Sequence, residues 1–107
     1  MTEEYYGASV KSFTKGTVSV ARVAKKYLCP ADRVLIIDDF LAHGEAAAGL
    51  CSLVEQAGGT VCGIAAVIEK EYQGGSARLR QAGYYVNSLS VITKIEGGKI
   101  YFKDEPK

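Results

Sequence analysis

The sequence predicts an α/β domain built on a parallel sheet, with antiparallel strands at the ends of that sheet. Three consecutive segments carry the prediction: an apolar run at residues 34–37, an alanine-rich stretch at 45–57, and a second β-rich apolar run at 60–68. A strand, a helix and a strand within about 35 residues form a right-handed βαβ unit with parallel strands. Since 107 residues correspond to one domain, we expect residues 1–107 to form a single domain.

The chain begins with two segments that favour a β-hairpin. Residues 8–14 and 18–23 alternate between apolar and other side chains, and Gly16 marks the turn between them. The next strand is expected at residues 33–37. Because positions 34–37 are all apolar, we expect this strand to be buried on both faces, as in a parallel sheet.

The clearest helix is expected at residues 45–57, in which three successive alanines follow Glu45 and apolar side chains recur at helical spacing. Gly58 and Gly59 end this pattern. The parallel partner strand follows at residues 60–68. A shorter helix is expected at 76–81, with Ser76 as its N-cap.

The last part of the chain favours β-structure. Residues 84–89 and 91–95 have strand-like patterns, and Gly97 with Gly98 predicts the tip of a hairpin. Residues 104–107 are expected to form a frayed tail.

The composition excludes several classes of partner. The net charge is +1, so the overall balance favours neither nucleic acid nor an anionic membrane, and no apolar run approaches the roughly 18 residues that cross a bilayer. Cys29, Cys51 and Cys62 are odd in number and lack metal-binding spacing. We expect Cys51 and Cys62 to be buried free thiols, and the protein to be cytoplasmic.

The candidate site lies where the first apolar run ends. Asp38 and Asp39 follow this run directly, and a short loop with Gly44 leads into the alanine-rich helix. The N-terminus of a helix presents free backbone N–H groups and a positive dipole end, which together bind phosphate. Two carboxylates beside it would suit a polyol such as ribose, or a metal ion.

This segment, Asp-Asp-Phe-Leu-Ala-His-Gly-Glu-Ala at residues 38–46, resembles the phosphoribosyl-diphosphate (PRPP) motif of the type I phosphoribosyltransferases. It is most similar to the bacterial xanthine phosphoribosyltransferases, and the resemblance continues downstream through Ile-Glu-Lys at 68–70 and upstream to residues 8–15. It covers residues 8–102, corresponding to about the C-terminal half of such an enzyme. The implied fold is a type I phosphoribosyltransferase-like parallel sheet that is incomplete at the N-terminus.

The resemblance implies roles for individual residues. Asp38 and Asp39 would contact the ribose hydroxyls and stabilise positive charge at the anomeric carbon. The 5′-phosphate loop would consist of Ala42, His43, Gly44, Glu45 and Ala46. His43 replaces a common hydroxyl residue, and Glu45 replaces the glutamine of the xanthine branch, where a carboxylate would repel the phosphate.

The resemblance also implies a purine site. Lys70 would donate to the oxygen at purine C6, which suits a 6-oxopurine and disfavours adenine. Phe40 and Tyr72 could lie against the base, with core packing as the alternative. Residues 12–15 would belong to a mobile loop, in which Lys15 could approach the diphosphate or simply be solvated.

The implied activity is purine salvage: xanthine and PRPP give xanthosine 5′-monophosphate and pyrophosphate, with Mg²⁺ bound to PRPP rather than to a protein metal site. Hypoxanthine or guanine as the purine, and a non-catalytic PRPP-binding regulatory domain, remain alternatives. The resemblance further implies a homodimer. Because the family's first half supplies the diphosphate-binding turn and the hood over the purine, we expect these 107 residues alone to be poorly active.

Overall fold

The computed structural model describes residues 4–12 and 16–103, which form six strands and two α-helices. The expectations for residues 13–15 and 104–107 lie outside this part of the chain. The elements are β1 (Tyr5–Ser12), β2 (Thr17–Ala24), β3 (Arg33–Leu41), α1 (Glu45–Gln56), β4 (Thr60–Lys70), α2 (Gly75–Gln81), β5 (Val86–Glu96) and β6 (Lys99–Phe102). Short 3-10 turns occupy Lys25–Tyr27 and Glu71–Gln73.

The main sheet has the strand order β3-β4-β5-β6. β3, β4 and β5 are parallel, and β6 pairs antiparallel with β5 through the predicted glycine turn. β1 and β2 form a separate antiparallel sheet, and β1 packs on α1. The α/β class, the parallel βαβ unit and both hairpins are therefore confirmed.

The core lies between the sheet and its two helices. It is formed by the buried residues Ile36, Leu41, Ala47, Cys51, Ile64, Ala66, Leu79 and Val86. Both helices contribute to this one cluster, so they cover the same face of the sheet. Among the described residues, no helix has the length and apolar character needed to span a membrane.

The expectation that β3 is buried on both faces is wrong. Ile36 is buried, but its neighbours Leu35 and Ile37 are 56% and 70% exposed, because successive side chains of a strand point to opposite faces. The helices cover the face that carries Ile36. No described element covers the other face, so its apolar side chains meet solvent.

Three smaller expectations are also corrected. Cys62 is exposed, whereas Cys51 is buried as expected. α2 begins after Gly74 and has no side-chain cap, because the hydroxyl of Ser76 donates instead to the buried carboxylate of Glu69. The two strands expected around residue 90 form the single strand β5.

Candidate functional site

The two adjacent carboxylates lie on β3, which extends through them to Leu41. The side chain of Asp38 is partly buried and that of Asp39 is exposed. Burial raises the pKa of Asp38, and a side-chain hydrogen bond with Asp39 raises it further. The carboxylates therefore stand close together where a positively charged group would relieve their repulsion.

The loop after β3 ends in a conformation that requires glycine. Gly44 has φ +83° and is the N-cap residue of α1, a region of backbone space that other residues rarely adopt. The N–H of Ala48 donates to the Gly44 carbonyl at 2.9 Å, and no side chain caps the helix. The N–H groups of the first turn therefore lack intrahelical partners and can bind an anion.

A hollow of about 150 Å³ lies over this helix end. Its lining includes Asp38, Phe40 and the whole predicted phosphate loop, Ala42, His43, Gly44, Glu45 and Ala46. The structure thus brings the first carboxylate and the loop to one cavity. Asp39 is not part of this lining and lies on the exposed side of the strand end.

The lining also includes Lys11, which the sequence did not identify as a site residue. It reaches the hollow because β1 packs on α1. A Cβ added at Gly49 would lie only 2.8 Å from Cγ2 of Val10, so the strand approaches the helix closely. The alternation of residues 8–14 predicts the strand, but nothing in it indicates where the hairpin docks.

The loop 42–46, which the sequence predicts to bind phosphate, is contacted from outside by α2. The N–H of Gly75 donates to the Ala42 carbonyl at 3.0 Å, and Nη2 of Arg78 donates to the His43 carbonyl at 2.6 Å. A side chain at Gly75 would place its Cβ 2.7 Å from the amide nitrogen of Gly44. These contacts fix two loop carbonyls away from the hollow. In the sequence, the adjacent glycines at 74 and 75 were the feature that could have indicated this close approach of α2 to the loop.

Of the residues predicted to bind the purine, Lys70 and Phe40 lie in contact with each other. Nζ of Lys70 lies 4.9 Å from the centre of the Phe40 ring, in a cation–π contact. Tyr72 lies in the following 3-10 turn with its side chain 47% exposed. Phe40 is 41% exposed, so core packing does not explain its position.

A buried carboxylate stands between these two regions. Glu69 is 1% exposed and accepts hydrogen bonds from the hydroxyls of Ser76 and of Ser88, the latter at 2.7 Å. The bonds join β4 to α2 and to β5. Glu69 therefore holds α2 in the position from which it contacts the loop 42–46.

Comparisons with known proteins agree with this architecture, although no protein-family model matches the sequence. The chain is 53% identical over 103 residues to the xanthine phosphoribosyltransferase of Shouchella clausii, which covers 96% of this chain and 51% of the relative. It is 51% identical over 105 residues to that of Bacillus licheniformis, covering 98% of this chain and 54% of the relative. The chain thus spans about half the length of the curated relatives it matches.

Solved structures show the same fold. The adenine phosphoribosyltransferase of Rhodothermus marinus has a TM-score of 0.71 at 33% identity, covering 85% of this chain and 49% of that one. The enzyme of the same name from Thermoanaerobacter pseudethanolicus has a TM-score of 0.71 at 26% identity, covering 85% and 50%. Over the half of their length that it spans, this chain is therefore about half identical in sequence to these two xanthine phosphoribosyltransferases and similar in fold to these two adenine phosphoribosyltransferases.

Proposed function

We propose that this chain carries the PRPP-binding half of a purine salvage phosphoribosyltransferase, with xanthine as the purine. The observation that carries the proposal is the hollow in which Asp38 and the loop 42–46 meet the uncapped N-terminus of α1. Relatives at 51% and 53% identity that bear the name xanthine phosphoribosyltransferase support the choice of reaction.

The 5′-phosphate of PRPP would bind in the hollow. The free N–H groups at the start of α1 supply fixed donors, and the helix dipole favours the negative charge. Lys11 at the edge of the hollow would add a positive charge, and His43 would donate a hydrogen bond. The carboxylate of Glu45 would act against these groups.

Asp38 and Asp39 would bind the ribose of the same molecule. When pyrophosphate leaves, positive charge develops at the anomeric carbon, and fixed negative charges close to it stabilise the transition state. The raised pKa of Asp38 supports this role, since a partly buried carboxylate gains more from a neighbouring positive charge than a fully hydrated one.

Mg²⁺ would arrive with PRPP. Among the residues that the structure describes, no three metal-binding side chains lie together, and Mg²⁺ is usually held by one or two carboxylates together with substrate phosphates. Asp38 and Asp39 are the carboxylates that fit this pattern. The ion would neutralise charge on the departing pyrophosphate.

The purine would lie beside Phe40 and Lys70. An ammonium group donates to the oxygen at C6 of xanthine, whereas the amino group of adenine offers it no acceptor there. Lys70 already lies against the Phe40 ring, and Tyr72 would contribute a second aromatic surface. Hypoxanthine and guanine share the oxygen at C6, so the choice among 6-oxopurines rests on the relatives' names. The homodimer implied by the family resemblance stays a prediction.

Titration calorimetry tests the proposal with PRPP and Mg²⁺, and then with xanthine, guanine or adenine added to the PRPP complex. We expect PRPP to bind, xanthine to bind only when PRPP is present, and Asp38→Asn to weaken PRPP binding at least tenfold. The matched control is Asp32→Asn, because Asp32 lies before β3, away from the phosphate hollow.

Three other outcomes would change or overturn the assignment. PRPP binding without any purine binding would favour the regulatory domain over the transferase. Stronger binding of guanine than of xanthine would move the assignment to another 6-oxopurine. If neither PRPP nor a purine binds to the folded chain, the proposal is wrong.

A further inference from the structure

A buried hydrogen bond joins the two ends of the segment that carries the predicted purine residues. Glu69 is the penultimate residue of β4, and Ser76 lies in the first turn of α2. Glu69 is 1% exposed and Ser76 is 2% exposed, and the Ser76 hydroxyl donates to Oε2 of Glu69. The residues between them, 70–75, are therefore fixed at both ends by a bond that is shielded from water. We call these residues the bridge segment.

The bridge segment contacts both predicted subsites. Lys70, at its start, places Nζ 4.9 Å from the centre of the Phe40 ring, on the side proposed for the purine. Gly75, at its end, donates its N–H to the Ala42 carbonyl of the loop 42–46 at 3.0 Å. A shift of either end would therefore change the distance between the purine side and this loop.

Other contacts of the bridge segment restrain it less. Within the segment, the N–H of Gly74 donates to the Glu71 carbonyl at 3.1 Å and completes a single turn. On its outer side, Nζ of Lys103 lies 3.1 Å from Oε2 of Glu71, in an exposed ion pair of the kind that contributes little. A hydrogen bond to a buried carboxyl group contributes more, since its loss leaves a buried oxygen without a donor. The bond between Glu69 and Ser76 should therefore dominate the position of the segment.

The stability of the core alone does not favour a glutamate at position 69. Burying a carboxylate costs free energy that a well-packed apolar side chain of similar size avoids. Glu69 instead offers two acceptor oxygens, and Oε1 accepts from the Ser88 hydroxyl of β5 at 2.7 Å. One side chain thereby binds both the neighbouring strand and α2. The orientation of the bridge segment accounts for this residue where core stability does not.

We propose that Glu69 is a positioning residue for both subsites and that it acts through Ser76. Their bond holds Lys70 and the loop 42–46 at the separation that a bound purine and a bound PRPP require. The inference rests on the proposed function, since it assumes that these ligands occupy the two subsites. Loss of the bond should weaken the binding of both ligands, although the buried Glu69 would touch neither.

Ser76→Ala tests the proposal, with Ser88→Ala as its matched control. Each substitution removes one hydroxyl donor from Glu69, but only the first releases the bridge segment. Native-state hydrogen exchange is followed by NMR without ligand, and the rate at the Gly75 amide is taken relative to that at Ile64 in the core of β4. Because the Ile64 amide reports global unfolding, a general loss of stability does not change this ratio. We expect the ratio to rise at least tenfold in Ser76→Ala and to stay within twofold of wild type in Ser88→Ala.

Calorimetry then measures both ligands. We expect Ser76→Ala to weaken PRPP binding, and xanthine binding to the PRPP complex, at least fivefold each, whereas Ser88→Ala should change neither by more than twofold. A merely structural role would lower the urea concentration of unfolding and leave the affinities of the folded protein unchanged. Glu69→Gln is a second variant, because it keeps the side-chain volume but has one acceptor oxygen for two hydroxyl donors. It should shift exchange and both affinities in the same direction as Ser76→Ala.

The possible outcomes separate this inference from the proposed function. If the wild type binds both ligands and Ser76→Ala binds them as Ser88→Ala does, the inference is wrong and the proposed function stands. Weaker binding of only one ligand would also overturn the inference, since the bridge segment contacts both subsites. If the folded wild type binds neither ligand, both proposals are wrong. An equal exchange ratio at Gly75 in the two serine variants would overturn the inference whether or not the ligands bind.

Discussion

At the scale of single residues, Glu45 is the position at which this site departs most from what the proposed phosphate binding needs. It is the first residue of α1, where a carboxylate interacts favourably with the helix dipole. The same carboxylate lines the phosphate hollow and would repel a phosphate dianion. Stability of the free helix and affinity for phosphate therefore oppose each other at this position.

Replacing Glu45 by glutamine should separate these effects. We expect Glu45→Gln to bind PRPP about 2- to 5-fold more tightly, since one charge at a helix end typically changes the interaction energy there by roughly 0.3–1 kcal/mol. The melting temperature of the free protein should fall slightly. Calorimetry and thermal melts at low salt measure both changes. Glu96→Gln, on the exposed end of β5, is the control and should alter neither affinity nor melting by a comparable amount.

At Asp38 we expect removal of the charge to have the opposite effects on stability and on PRPP affinity. Its pKa is raised above the ordinary 3.8, so the folded protein binds the proton more tightly than the unfolded chain does. The associated stability is present below pH 3.8 and is lost as the pH rises through the folded-state pKa. Asp38→Asn should therefore raise the melting temperature at neutral pH while it weakens PRPP binding at least tenfold. An unchanged or lower melting temperature at pH 7 would contradict this expectation.

The three cysteines should differ in reactivity. Burial raises the pKa of the Cys51 thiol to about 11, whereas Cys29 and Cys62 are exposed. At pH 8 a disulfide reagent should modify two thiols rapidly and the third only after unfolding.

The proton of Cys51 also links to stability: the free energy of unfolding should fall as the pH rises from about 9 towards 11. Cys51→Ser would remove only the slow thiol.

At the scale of elements, the close approach of α2 to the phosphate loop depends on Gly75. A Cβ there would lie 2.6 Å from the carbonyl carbon of His43 and nearer still to the carbonyl oxygen of Ala42. These are backbone atoms, so either the helix or the loop must move. The position of the loop is therefore set by an element that follows it by thirty residues.

Gly75→Ala should consequently lower both stability and PRPP affinity. We expect a loss of about 1–3 kcal/mol in the free energy of unfolding, as for overpacking elsewhere, and at least tenfold weaker binding. Urea unfolding and calorimetry measure the two effects. Gly7→Ala is the matched control, because a Cβ at Gly7 would meet only ordinary contacts of 3.8 and 3.9 Å. A variant that binds PRPP normally would show that α2 does not position the loop.

The sequence was sufficient to predict the long periodic segments, but not the contacts between elements that are distant in the chain. α1 and β4 agree with the sequence within two residues at each end, because their patterns are continuous. The loop 42–46 could be located from the sequence equally well, since its residues are contiguous in the chain. Ser76 has the residue type of a cap, but Glu69 recruits its hydroxyl. Lys11, Gly75 and Arg78 reach the site through packing between elements, which no local pattern encodes.

At the scale of the whole molecule, the described chain consists of two sheets with α1 between them. The main sheet shares its core with both helices. The hairpin β1–β2 instead rests mainly on α1, where Nε2 of Gln56 donates to the Gly7 carbonyl at 2.7 Å. Val18 and Val20 of this hairpin remain about two-thirds exposed. The two sheets are thus stabilised to different degrees.

This difference should appear in native-state hydrogen exchange. β4 pairs on both sides and carries the buried Ile64 and Ala66, so its central amides should exchange only on global unfolding. Hairpin amides should exchange at least tenfold faster, through an opening that leaves the main sheet folded.

Val10→Ala, which removes the contact with Gly49, should accelerate exchange in the hairpin alone, whereas Val20→Ala on its exposed side should not. Equal exchange rates in both sheets would mean that the molecule opens as one unit. The position of Lys11 at the hollow would then be as stable as the main sheet. Independent opening of the hairpin would instead let Lys11 leave the hollow while the other residues that line it stay in place.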